Sequence, residues 1–349
     1  MPNRPIEAMG ALLAVIAVVA GCGGGATPEQ TSAPRSSRAP AAEPAPAGAP
    51  TVPPVGRVVP IPGGPEGIVI GRSGTAAIAV RKPPGVALVD STTGVVRQTV
   101  QMGGAARHLS LAGADGPVLV PLESSDELVE MRLADGDVVS RTAGVGRQPH
   151  DAVRTSDGTV VVTNEMGGGV VFVRDGAVVG SLPAGPPQPG GAAAVGKYAA
   201  VADVQGNGVW VYDGSIREQV AQGPVGTKLT HAVALSDDLV AFADTDGGAV
   251  LIERITPQIS GLAKVESPGK PYGLAYDPDR RRLFVTLTAT NQLQVIDVAD
   301  PATPRIAGTV PTVQQPNSVA VEPRSGAVLI TGSSPNGSLQ IITEDLLPR

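Results

Sequence analysis

One short phrase recurs seven times between residues 65 and 320, and its spacing decides what this chain can become. A Pro or small residue is followed by a polar residue, then by Gly, His, Asp or Ser, then by a β-rich run. The copies begin at Pro65-Glu66-Gly67, Ala106-Arg107-His108, Pro149-His150-Asp151, Pro189-Gly190-Gly191, Leu229-Thr230-His231, Pro271-Tyr272-Gly273 and Pro316-Asn317-Ser318. Successive copies lie 41, 43, 40, 40, 42 and 45 residues apart. A period of about 40–45 residues with four short strands per unit is that of β-propeller blades.

Each copy carries the punctuation for four strands. A turn such as Ser156-Asp157-Gly158 or Asp277-Pro278-Asp279 follows the first strand. Second strands are predicted over Val160–Thr163, Ala199–Ala202, Leu239–Ala243 and Leu283–Leu287, and third strands over Val209–Tyr212 and Leu293–Val298. Turns such as Thr92-Thr93-Gly94, Ala134-Asp135-Gly136 and Arg174-Asp175-Gly176 then lead to an outer strand; Gly there supplies positive φ and Asp caps its own turn. The last copy has only three strands, ending near Thr343, while Val55–Ile61 precedes the first. The amino-terminal strand is therefore expected to complete the last blade and remove the open edges of a linear array. The fold class is all-β, a seven-bladed β-propeller. Composition agrees: 45 Gly and 34 Pro in 349 residues are too many for a helical bundle, and eight aromatics leave small aliphatic side chains to fill the blade interfaces. A net charge of −6 with so few aromatics argues against nucleic acid as a partner.

The anchor phrase, together with a blade centre such as Leu283-Phe284-Val285-Thr286 and Gln292-Leu293-Gln294-Val295-Ile296-Asp297, resembles the YVTN or YncE-like β-propeller family. It is also similar to surface-layer and lactonase-type propellers, and the likeness spans roughly residues 55–343. The resemblance implies the ring and no single activity, because propellers host unrelated functions.

The amino terminus reads as an address. The apolar run Ala8–Ala20 is too short for the ~30 Å hydrocarbon core at ~1.5 Å per residue, which favours a cleaved export signal over a spanning helix. It ends in Val19-Ala20-Gly21-Cys22, which resembles the lipobox of bacterial lipoproteins. That resemblance implies cleavage before Cys22 and acylation of its thiol, with the lipid bilayer as partner and an extracytoplasmic, lipid-anchored place in the cell envelope. Cys22 is the chain's single cysteine, so there is no intrachain disulfide framework. The expected organisation is a signal peptide over residues 1–21, a lipidated Cys and disordered Pro/Ala/Gly-rich tether over 22–54, and the propeller over 55–349. The tether carries eight Pro between Pro28 and Pro54.

The chain's three histidines, His108, His150 and His231, all fall in anchor phrases, which enter the innermost strands at the mouth of the central channel. Asp151 shares the third anchor position with His108 and His231. Loops between second and third strands, reaching the same face, add Asn164, Asp203 and Asp244. These seven residues are the candidate ligand-binding set. Imidazole and carboxylate suit a divalent metal such as zinc, with His108, His150, His231 and Asp151 as ligands. The alternative is that each histidine bonds a neighbouring blade's backbone and closes the ring. Adjacent strand positions alternate in direction, so His150 is not required to meet the other two. No G-x-S-x-G and no thiol within the propeller offers an acyl-enzyme nucleophile. The sequence thus favours a non-enzymatic, membrane-tethered binding or scaffold propeller whose client is an envelope protein or small ligand. An envelope metal-binding propeller of zinc-chaperone type is the alternative, and a lactonase-type hydrolase stands third.

Overall fold

A computed structural model describes residues 43–349 apart from Pro335, so the expected signal peptide and Cys22 lie outside the described residues. The described residues form seven four-stranded antiparallel sheets. Blade 1 runs through Pro65–Ile70, Thr75–Arg81, Pro84–Asp90 and Val96–Gln101. Blades 2 to 6 repeat the order, with innermost strands Ser110–Leu111, Pro149–Arg154, Pro189–Val195, Leu229–Ala234 and Pro271–Asp277. Blade 7 has Pro316–Val321, Val328–Gly332 and Ser338–Ile342, and its fourth strand is Arg57–Pro60 from the amino-terminal side. Val58 pairs with Gln340 and Pro60 with Ser338, so the expected ring closure is present. Among the described residues no helix is long and apolar enough to cross a membrane.

Burial explains the strand sequences. Second and third strands lie between neighbouring blades and are covered on both faces, which is why Val118–Leu122 and Val160–Thr163 are nearly continuous apolar runs. Outer strands such as Val96–Gln101 are largely exposed and polar. Small side chains fill the interfaces as expected: Ala77 and Ala79 of blade 1 pack on Val118 and Val120 of blade 2, and Ala200 and Ala202 of blade 4 on Val240 and Phe242 of blade 5. The turn chemistry also holds. Asp90 Oδ1 accepts from the Thr92 and Thr93 amides, and Gly94, at φ +70°, closes that turn onto the Asp90 carbonyl.

A feature of the innermost strands matters most for the site. In six blades the pairing with the second strand slips at the anchor, between Pro149 and Ala152 in blade 3 and at the equivalent points of blades 1, 4, 5, 6 and 7. In blade 2 the strand is cut to Ser110–Leu111, and Ala106 makes an isolated bridge to Leu122.

Residues 43–54 have no helix or strand but lie against the ring. Gln315 clamps them, its Nε2 donating to the Ala45 carbonyl at 2.9 Å and its Oε1 accepting from the Ala47 amide at 2.5 Å. Gln314 Nε2 donates to the Ala47 carbonyl and Asn291 Nδ2 to the Gly48 carbonyl. Within the described residues this strap runs from Glu43, on Arg107, into the closing strand, where the Val55 amide bonds the Pro311 carbonyl.

Candidate functional site

The anchors place two polar layers at one end of the channel. The second anchor positions hold Glu66, Arg107, His150, Gly190, Thr230, Tyr272 and Asn317; the third hold Gly67, His108, Asp151, Gly191, His231, Gly273 and Ser318. In a regular strand these neighbours would point to opposite faces. The anchor bulge re-aims them, as bulges do. His150 therefore meets the other histidines: its ring centroid lies 4.3 Å from that of His108, and His108 lies 4.2 Å from His231. Tyr272 continues the run at 4.2 Å from His231. Four rings from blades 3, 2, 5 and 6 thus cross the end of the channel. Blade 4 makes room with glycine, since a Cβ on Gly191 would sit 2.7 Å from the His231 Cα.

The three histidines have three environments. His150 is 1% exposed, and its Nδ1 lies 3.2 Å from Glu123 Oε1 and 3.4 Å from Glu165 Oε2. Burial alone would push it down, but the Glu165 charge and the Glu123 hydrogen bond lift it to about 10. Burial would raise Glu123, yet the bond and charge of His150, with Arg107 and Arg81 behind them, bring it to about 2. Arg107 Nε lies 3.2 Å from Glu123 Oε1 and Arg81 3.6 Å from its Oε2, while Gln148 donates to Glu165 at 3.0 Å. Glu165 is lowered too, burial being outweighed by His150. His108 and His231 move the other way. Burial first, and then the charge of His150, depresses His108; burial, with the charges of His150 and Arg107, takes His231 well below its ordinary value. One imidazolium thus stands beside two neutral imidazoles.

The backbone-closing role considered for the histidines belongs to other residues. Asp151 Oδ1 accepts from the Ala152 amide and Oδ2 from Ala192 in the next blade, with His108 Nδ1 3.7 Å away. Ser318 similarly accepts from Ile68. His108 Nε2 and His231 Nδ1 are buried without a hydrogen-bond partner. Both residues line a channel cavity of about 400 Å³, whose remaining wall is largely Ile68, Leu109, Ala193, Val233, Leu274 and Val319.

Asn164, Asp203 and Asp244 are not brought to this cavity. Each ends a second strand and caps its own loop: Asn164 Oδ1 accepts from Arg147 and Gly167, Asp203 Oδ1 from Gln188 and Gln205, and Asp244 from Thr227, Lys228 and Gly247. Of the four proposed metal ligands, His150 alone joins a compact donor set. That set is Glu123, His150 and Glu165, all buried, with donor atoms within 4.8 Å of one another. It can hold a divalent ion only by displacing the His150 proton, with Arg107 opposing a second cation.

Arg107, Glu123, Tyr272 and Glu43 were missed by the sequence reading. A signal existed for three of them. Arg107 and Tyr272 occupy the anchor position of His150, and Glu123 occupies that of Glu165, directly after the residue facing the first anchor position. Glu43 has no repeat partner and carries no such signal.

These features define a seven-bladed β-propeller whose channel is plugged at one end by a buried polar network. No protein-family model and no curated protein matches the chain. Solved structures do. Virginiamycin B lyase from Staphylococcus aureus superposes with a TM-score of 0.68 at 13% identity, over 82% of this chain and 98% of that one. The WD40 repeats of RRP9 give 0.71 at 11% identity, over 85% and 99%. A hydrazine synthase chain from Kuenenia stuttgartiensis gives 0.65 at 17%, over 83% and 98%. At these identities the likeness is one of fold.

Proposed function

We propose that the chain is a lipid-anchored binding propeller of the cell envelope, tethered through Cys22 and taking a small ligand in its central channel. The anchor phrase supports a YVTN/YncE-like relationship, and Val19-Ala20-Gly21-Cys22 supports the anchor. The observation that carries the binding role is the His108–His231 pair. Buried His108 and half-buried His231, each with one unpartnered ring nitrogen, border a cavity lined by both polar and apolar groups, an arrangement whose cost in stability a ligand bound beside them would offset. Native mass spectrometry of the chain extracted from its own membranes tests both parts. An acyl mass is expected on the wild type and absent from Cys22→Ser. A non-covalent small molecule is expected on the wild type and lost from His108→Ala/His231→Ala. Unmodified Cys22 would sink the anchor, and a molecule retained by the double variant would sink the channel site.

A second reading, metal binding, rests on the Glu123–His150–Glu165 set. Because His150 titrates near 10, the ion competes with its proton. Zn²⁺ affinity is expected to rise about tenfold per pH unit between pH 6.5 and 8.5, with about one proton released per ion. Calorimetry in two buffers of different ionisation enthalpy measures both quantities. Glu165→Gln should abolish binding, and no heat at pH 8.5 would retire the metal reading.

A further inference from the structure

The charged layer is completed by a residue that does not belong to the ring. Arg107 is 6% exposed, yet Glu43 on the strap is a largely exposed side chain. Their contact is a two-pronged fork: Arg107 Nη1 donates to Glu43 Oε2 at 2.6 Å and Nη2 to Oε1 at 2.8 Å. Behind the fork, Arg107 Nε lies 3.2 Å from Glu123 Oε1, an ion-pair contact on the side away from Glu43. Planar, fork-to-fork pairing is the geometry by which arginine selects a carboxylate.

The two terminal nitrogens of Arg107 have Glu43 as their carboxylate partner, while Glu123 lies against Nε. Glu66, a further acid nearby, is raised by burial, against which its bond from Asn317 and the charges of Arg107 and Arg81 work. A buried guanidinium left without its anion is costly. The strap supplies that anion from outside, through backbone that has no helix or strand and that the ring grips through the amide side chains of Asn291, Gln314 and Gln315.

We propose that Arg107 is the receptor group of a small-carboxylate binding site on the loop face, and that Glu43 occupies it as a built-in competitor which an incoming carboxylate displaces. Arg107 does not line the channel cavity, so this site is a different place from the one beside His108 and His231. A tethered competitor acts at high effective concentration, and a site open for one-tenth of the time or less binds about tenfold more weakly than an open one.

The test titrates the full-length chain in detergent with ¹³C-carboxyl acetate, observed by NMR, and with acetamide as the uncharged isostere. Glu43→Gln is expected to tighten acetate about tenfold or more and to leave acetamide without measurable binding. Adding Arg107→Lys, which keeps the charge and loses the fork, should remove the gain. Wild-type protein gives a second measure that no folding defect can confuse. Saturating acetate should speed hydrogen exchange at the Ala47 and Val55 amides, which hold the strap to Gln315 and Pro311, and acetamide should not. Equal acetate affinity in wild type and Glu43→Gln would overturn the proposal. So would a gain that survives Arg107→Lys, or strap exchange indifferent to acetate.

Discussion

His150→Ala should lower the unfolding free energy by about 3–5 kcal/mol, the range for removing one partner of a buried ion pair. The reason is the company His150 keeps. Its imidazolium Nδ1 faces two carboxylates with side-chain exposures of 5% and 0%. Glu123 retains Arg107 and Arg81, but Glu165 retains only the Gln148 amide. The orphaned charge is thus on Glu165, and Glu165→Gln in the His150→Ala background should recover part of the loss. Urea denaturation at pH 7 measures both, as a drop in midpoint at unchanged slope. A loss below about 1 kcal/mol, the value of an exposed pair, would mean that the cluster is hydrated and the account of the site is wrong.

The second large effect is a stability maximum near pH 6.5. His108 and His231 are held neutral in the folded chain, while unfolded histidine titrates near 6.5. Below that pH the unfolded chain binds more protons, so stability falls as pH drops, by about 1.4 kcal/mol per pH unit per proton at most. His150 has the opposite sign. With its folded value raised to about 10, its contribution is complete below about 6.5 and is lost as pH rises through 10. Glu123, lowered to about 2, contributes fully above its ordinary 4.5 and loses that contribution as pH falls through 2, so it does not shape the neutral range. Urea titrations from pH 5 to 9 should show both flanks. His150→Ala should flatten the alkaline flank, and His108→Gln/His231→Gln the acid one. A wild-type profile without a maximum, or flanks unchanged in these variants, would refute the assignment of one charged and two neutral rings.

The ring was legible because its physics repeats. The seven anchor phrases, the Asp and Gly turns and the missing fourth strand of the last copy each state a local rule, and Arg57–Pro60 pairs with Ser338–Ile342 as that arithmetic requires. The site was half legible. Anchor position found His108, His150 and His231, but regular strand alternation left open whether His150 meets the other two, and the anchor bulge brings it to them. Asn164, Asp203 and Asp244 misled because one residue type serves two purposes. An Asp or Asn followed three residues later by Gly is a loop cap here, with the side chain lying over Gly167, Gly206 or Gly247 where a Cβ would collide. Burial is what the sequence does not print. Glu123 and Glu165 look like loop acids until the fold closes over them, and Glu43 sits in a stretch whose composition says nothing about what it touches.

The strap and the strand that closes the ring are one continuous piece of chain. A pull applied to the amino-terminal side would first load the Glu43–Arg107 fork, then the Gln315 clamp, then the ladder from Arg57 to Pro60 against Ile341 to Ser338. These contacts are met one after another along the chain, so the outermost must yield before the next carries load. The bidentate fork is then a mechanical fuse: tension would free Arg107 before it reached the seam whose opening unlocks the ring. A propeller held by its amino terminus would in this way convert stretch into exposure of a single guanidinium while the seven blades stay shut.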